Sequence, residues 1–167
     1  TLSNVSNGRE SIAKEAAKWT DKFLISLGGE HSITPELVKP FFKKYPNLSV
    51  LQIDAHTDMR DEWEGSRNSH ACAMKLVQKL GVKNIVQVGI RSTAKEEQQH
   101  LKLENIFWGD KYDISQILAK LTNDVYLTFD VDGLDISIMP STGTPEPGGL
   151  SYNQALEIIK VVAQKKN

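Results

Sequence analysis

This sequence predicts an α/β fold, three layers deep, with a mainly parallel sheet between two layers of helices. Two observations carry that expectation. Short apolar runs at 23–27, 48–53, 85–88, 106–108 and 125–129 read as strands. Helical patterns at 10–19, 35–44, 71–80, 94–103, 114–121 and 152–163 alternate with them. Strands separated by helices become parallel neighbours, and a parallel sheet needs both faces covered. Several helix starts have a chemical signature. Thr34 can accept from the free amides of the next turn, and Pro35 suits the first helical position. Thr93 with Glu96, Asp113 with Gln116, and Ser151 with Gln154 have the spacing of a capping box or a close variant.

The 167 residues suit a single domain over 1–167, and no repeat, low-complexity tract or long linker divides them. Hydrophobic residues at 40% and charged residues at 25% fit a globular chain in water. Lys and Arg number 20 against 21 Asp and Glu, which argues against a dedicated nucleic-acid binder. No apolar run approaches the roughly 18 residues of a membrane helix. The start, Thr1-Leu2-Ser3-Asn4, has neither the basic region nor the apolar core of a signal peptide. Cys72 is the single cysteine and cannot close an internal disulfide. A reducing, cytoplasmic setting is the expectation. The chain also lacks an initiator Met, a first hint that more chain surrounds it.

In an open parallel sheet, ligands bind beyond the carboxyl ends of the strands. Gly28-Gly29-Glu30-His31 follows the first apolar run, Asp54-Ala55-His56-Thr57-Asp58 the second, and Asp130-Val131-Asp132 the last. On extended backbone, residues two apart share a face. Asp54, His56 and Asp58 are then expected on one side, and Asp130 with Asp132 likewise. A lone Asp-x-His is ordinarily a solvated strand end. Three such clusters on one rim point instead to metal, because four converging carboxylates repel unless cations or protons intervene. Asp and His without Cys suit Mn(II), Fe(II) or Zn(II). Six ligands serve two ions if one or two carboxylates bridge, and such a pair makes a nucleophile from water at neutral pH.

At these residues the sequence resembles the ureohydrolases, the family of arginase and agmatinase. The resemblance runs through Leu27-Gly28-Gly29-Glu30-His31-Ser32 and Ile53-Asp54-Ala55-His56-Thr57-Asp58. It continues through Thr128-Phe129-Asp130-Val131-Asp132-Gly133-Leu134-Asp135 and Thr142-Gly143-Thr144-Pro145-Glu146-Pro147-Gly148-Gly149-Leu150. Thr128 stands where the family usually has Ser, Ile136 where it has Pro, and Glu36 where a small residue or Pro is common. The resemblance implies an arginase/deacetylase-like fold and a cofactor of two Mn(II) ions. His31 and Asp58 would belong to one ion, His56 and Asp132 to the other, and Asp54 and Asp130 would bridge both. The implied reaction is hydrolysis of a guanidino group to urea and an amine by a bridging hydroxide, with Asp58 and Asp130 in the catalytic centre. His70 stands close to the family's proton-relay histidine, and Thr144 close to a substrate contact. Read locally, His70 is an ordinary helix-start residue and Thr144 a position in a Gly/Pro-rich loop.

The stretch Arg60-Asp61-Glu62-Trp63-Glu64-Gly65-Ser66-Arg67-Asn68-Ser69 looks like the agmatinase branch, and its acidic residues suit a cation without a carboxylate. Agmatine, cleaved to putrescine and urea, is therefore the first expected substrate. Arginase, guanidinobutyrase or formiminoglutamase activity, a related deacetylase, and a non-catalytic metal-binding relative are the alternatives. The resemblance further implies a homo-oligomer, a trimer or hexamer. It also implies a domain incomplete at both ends, a fragment lacking the family's opening strand and the Glu that holds the guanidinium. Among the remaining residues, Glu30 is expected as a capping group and Asp135 as a loop tether. His100 and the run Lys95-Glu96-Glu97 are expected on a solvated face. Cys72, Trp19, Trp63 and Trp108 are expected in packing.

Overall fold

The computed structural model describes residues 2–167, with side chains described from residue 8 onward. Four strands form the sheet: β1 (Ser49–Ile53), β2 (Asn84–Ile90), β3 (Ile106–Trp108) and β4 (Val125–Phe129). Their order is β3-β2-β1-β4, and every neighbouring pair is parallel. Five α-helices surround them: α1 (Leu2–Ala17), α2 (Thr34–Lys44), α3 (Ala73–Lys79), α4 (Ile114–Lys120) and α5 (Tyr152–Lys165). The expected three-layer α/β/α architecture is present.

β1 is central, so all five of its residues are buried. Its alternation divides the core in two. Leu51 and Ile53 pack with Ile117 of α4 and Ala155, Ile158 and Val162 of α5. Val50 turns to the opposite face, with Val38 of α2 and Met74 and Val77 of α3. Both faces bury about ten apolar side chains, the double coverage that a parallel sheet requires.

The caps at Asp113 and Ser151 form as expected. The Asp113 carboxylate accepts from Ser115 N and Gln116 N, and Ser151 and Gln154 exchange side-chain and backbone bonds. Four expectations change. The run 23–27 has no regular secondary structure and lies outside the sheet, with Phe23 90%, Ile25 72% and Leu27 94% exposed. A strand needs a laddered neighbour, and none is described for this run; the segment after it reaches the edge strand β4 through the side chains of His31 and Thr34. Thr128 Oγ1 is 3.0 Å from His31 Nε2 and 3.3 Å from Thr34 Oγ1. Thr34 is consequently not a cap: α2 begins at Thr34 itself, after Ile33, which makes no side-chain cap bond. The helix expected at 71–80 splits into a 3-10 turn at His70–Cys72 followed by α3. The helix expected at 94–103 is only a 3-10 turn, Lys95–His100, because Glu97 reaches inward instead of extending an exposed face.

Cys72 is buried as expected, but the three tryptophans are not core: Trp19 is 46%, Trp63 37% and Trp108 41% exposed. Trp63 packs under the Arg60 guanidinium, 4.4 Å from its ring centre. His100 is not a free solvated side chain either, since its Nε2 lies 2.9 Å from Asp61 Oδ2. Among the described residues, no helix is long and apolar enough to cross a membrane.

Candidate metal centre

The parallel register delivers the motifs to one rim. Ile53 of β1 aligns with Val88 of β2 and Phe129 of β4, so Asp54 and Asp130 leave the sheet side by side. Asp54 N donates to Val88 O, and Asp130 N donates to Ile53 O. From there the side chains converge through turns, not through strand alternation. β1 ends at Ile53, and the Asp54 carboxylate accepts His56 N at 2.7 Å, folding the chain back on itself. Asp130 accepts Asp132 N at 3.2 Å in the same way. Asp58 has φ 51°, a left-handed conformation uncommon for a residue with a Cβ. Gly133 is required where the two turns touch: a Cβ there would lie 2.9 Å from Asp54 N.

His31 enters from the 3-10 turn His31–Ile33, capped by Glu30, whose carboxylate accepts Ser32 N at 3.1 Å. Its Nδ1 lies 2.8 Å from Asp58 Oδ2, 3.2 Å from Asp54 Oδ2 and 3.6 Å from Asp130 Oδ2. His56 Nδ1 lies 3.2 Å from Asp132 Oδ2 and 3.6 Å from Asp54 Oδ1. The two oxygens of Asp54 therefore face two different imidazoles. Two overlapping groups can each hold a metal ion: His31, Asp54 and Asp130, and Asp54, His56 and Asp132. His31 Nδ1 is buried among carboxylate oxygens without a well-aligned hydrogen bond to any of them. A nitrogen aimed between the acceptors of three carboxylates fits a cation at this point.

The electrostatics agree. Burial works against a charged His31, but the adjoining Asp54 and Asp58 carboxylates overcome it and hold its pKa well above the usual imidazole range. Burial likewise opposes a charged His56, yet Asp132 and Asp54 raise it to about 10. Burial would raise Asp54, but bonds to His31 and His56 bring it well below the ordinary carboxylate range. Asp58 is pushed up by burial and by the charge of Asp54. Asp130 is pushed up by burial, Asp54 and Asp132. An imidazole nitrogen ligates only without its proton, so a metal bound here would displace the protons that these carboxylates favour.

The other anticipated residues lie around this cluster. The Thr144 hydroxyl donates to Asp132 Oδ2 at 3.2 Å. His70 stands on the rim, half-exposed, with Nδ1 3.3 Å from Glu30 Oε1. Asp135 is the expected tether, accepting Ser137 N, Gly148 N and Gly149 N. Three participants escape a reading of the motifs. Glu146 Oε1 stands 3.9 Å from His56 Nε2. Arg91 bonds the backbone carbonyls of Gly89, Asp132, Leu134, Glu146 and Pro147, locking two motif loops together. Glu97 braces the turn that carries Asp58. The sequence signal for Arg91 is slight, an arginine three residues after the apolar run 85–88.

A parallel α/β layer with a dual carboxylate–imidazole cluster at its carboxyl rim defines a candidate metallohydrolase. The profile of the Arginase family matches residues 2–167, and the chain belongs to that family. It is 39% identical over 154 residues to an N(1)-aminopropylagmatine ureohydrolase of Synechocystis, covering 87% of this chain and 50% of that protein. It is 38% identical to an agmatinase of Halalkalibacterium halodurans, covering 85% of this chain and 51% of that protein. The agmatine ureohydrolase of Thermoplasma volcanium superposes with TM-score 0.84 at 28% identity, covering 97% of this chain and 58% of that structure. The chain thus spans about half the length of the curated relatives it matches.

Proposed function

We propose that this chain supplies the metal centre of a hydrolase that splits a guanidino compound into urea and an amine. Agmatine is the first substrate and putrescine the amine, a step of polyamine synthesis. The observation that carries this reading is the Asp54 carboxylate, whose two oxygens face His31 and His56 separately. His31 and Asp58 would hold one Mn(II) ion, His56 and Asp132 the other, with Asp54 and Asp130 shared between them. When bound, the metal pair supplies the Lewis acidity that makes a nucleophile from water at neutral pH.

The protein's own residues have the remaining tasks. Asp58 and Asp130 would serve the catalytic centre as ligands that hold the metal pair in place. Thr144 holds Asp132 in place, and its oxygen keeps a lone pair able to accept from a guanidinium N–H. His70, paired with Glu30 at the rim, is placed to carry a proton between the site and solvent. Of the acidic residues at 61–64, Asp61 is engaged by Lys79 and His100 and Glu62 by Arg67, so Glu64 is the group that would draw in a cationic substrate. A cytoplasmic homo-oligomer, a trimer or hexamer, completes the reading. N(1)-aminopropylagmatine is the second candidate substrate, because a relative at 39% identity is named for it.

The test is urea release by the full-length protein carrying this chain, loaded with Mn(II) and offered agmatine, N(1)-aminopropylagmatine, arginine and 4-guanidinobutyrate. Urea from agmatine is the expected result. Urea from arginine but not agmatine would overturn the substrate, and urea from none would overturn the hydrolase.

A further inference from the structure

Glu97 is a carboxylate in the wrong place for its neighbourhood. It lies in the charged run Lys95-Glu96-Glu97 on a surface turn, yet it is only 4% exposed. Its Oε2 accepts Ala94 N at 2.6 Å and Thr93 Oγ1 at 3.4 Å, closing its own turn. Its Oε1 points inward and accepts Thr57 Oγ1 at 2.8 Å and Met59 N at 2.7 Å. Thr57 and Met59 are the residues on either side of Asp58. One buried oxygen thus grips both flanks of the residue that adopts φ 51°. The same turn is held from two further directions, by Lys75 N donating to Asp58 O and Gln87 Nε2 donating to Thr57 O. A left-handed conformation at a non-glycine residue persists only where its surroundings over-determine it. That conformation aims Asp58 Oδ2 at His31 Nδ1.

We propose that Glu97 is a positioning residue for the metal centre. Its carboxylate fixes the Thr57–Met59 turn, and through Asp58 it sets the affinity of the His31 metal position and not of the His56 position. This rests on the two-metal reading above. The bonds of Glu97 go to Thr57, Met59, Thr93 and Ala94, and none goes to Asp132 or to the His56 side chain, so the effect is expected to fall on the His31 position.

The experiment is Mn(II) titration of the metal-free, full-length protein, followed by electron paramagnetic resonance and calorimetry, with the thermal midpoint recorded alongside. Glu97→Gln conserves shape but places an NH2 group against N–H and O–H donors on one side or the other. Thr57→Val removes a single donor to Glu97 and leaves the carboxylate intact. Wild type is expected to bind two equivalents, with the spectrum of an exchange-coupled pair. Glu97→Gln is expected to lose about 10–100-fold in affinity at one position, the range for outer-shell partners. Its spectrum at low metal should be that of an isolated ion. Thr57→Val should weaken the same position by less, and it decides the matter if Glu97→Gln does not fold. Two unchanged affinities in both variants would overturn the role of Glu97 while leaving the two-metal centre standing. Equal weakening of both positions in step with a lowered midpoint would mean general loosening and would also overturn it. Wild type that binds no Mn(II) would overturn the two-metal reading itself.

Discussion

Replacing Arg91 by lysine should loosen the rim of the sheet without altering the side chain of a candidate ligand. Arg91 follows β2, and its fork spans two loops. Nη1 donates to Gly89 O at 2.8 Å, Nη2 to Asp132 O at 2.6 Å and Glu146 O at 2.8 Å, and Nε to Pro147 O at 3.0 Å. Lysine carries its donors on one atom and cannot reach from Gly89 to Pro147. It would forfeit at least two of these bonds. Hydrogen bonds from a charged donor are worth about 1.5–3 kcal/mol each. Two of them would amount to about 3–6 kcal/mol if water could not replace them. Water does reach the Glu146–Pro147 side, where the contact is partly exposed, so a net loss of about 2–3 kcal/mol is expected. Arg91→Met should cost more, because every carbonyl then loses its donor. The assay is urea denaturation of the full-length protein, read as a shift of midpoint at unchanged slope. A lysine variant within about 0.5 kcal/mol of wild type, the range of an unremarkable surface change, would refute the reasoning.

Three further outcomes are expected. Asp130→Asn keeps size but weakens a carboxylate proposed to be shared by both positions, so its loss of Mn(II) affinity and urea release should exceed the roughly 10–100-fold typical of outer-shell changes. An unchanged rate at saturating metal would reject that assignment. Gly133→Ala drives a Cβ to 2.9 Å from Asp54 N and 3.1 Å from Asp54 Cα, and backbone cannot swing aside as a side chain does. A destabilisation of about 1–3 kcal/mol by thermal or chemical unfolding is expected, and wild-type stability would contradict the close approach. Asp135 is held well below the ordinary carboxylate range by bonds from Ser137, then Gly149 and Gly148. A depressed pKa means that its tether is present above the unfolded value, about 3.9, and is lost only as pH falls through the lower folded value. Slowed hydrogen exchange at the Gly148 and Gly149 amides should therefore survive acidification to about pH 3.9. Loss of protection in step with a free carboxylate would count against the tether.

The candidate ligands at 54–58 and 130–132 were legible in the sequence because a parallel sheet brings the carboxyl ends of its strands to the same rim, whatever the strand order. His31 was named by its motif, but it reaches the rim from a 3-10 turn and not from a strand of the sheet. The alternation of apolar runs and helical patterns determined the layers in the same way, and capping residues such as Asp113 and Ser151 determined where two helices start. These are local signals, carried by residues a few positions apart.

Tertiary structure decided the rest. Strand order β3-β2-β1-β4 depends on which edges meet, and nothing within a single strand encodes its neighbour. The apolar run 23–27 has the composition of a strand, yet it joins no ladder here because no described strand lies beside it. Local periodicity placed Asp54, His56 and Asp58 on one face, whereas they converge because the chain turns and Asp58 goes left-handed. Glu97 and Arg91 are the clearest cases. Each reads as a charged residue near the surface. Each is instead bonded to groups about 40 residues away, Met59 for one and Asp132 for the other. Whether a charge faces solvent or satisfies buried N–H and C=O groups is settled by what folds over it, because desolvation forbids leaving those groups unpaired.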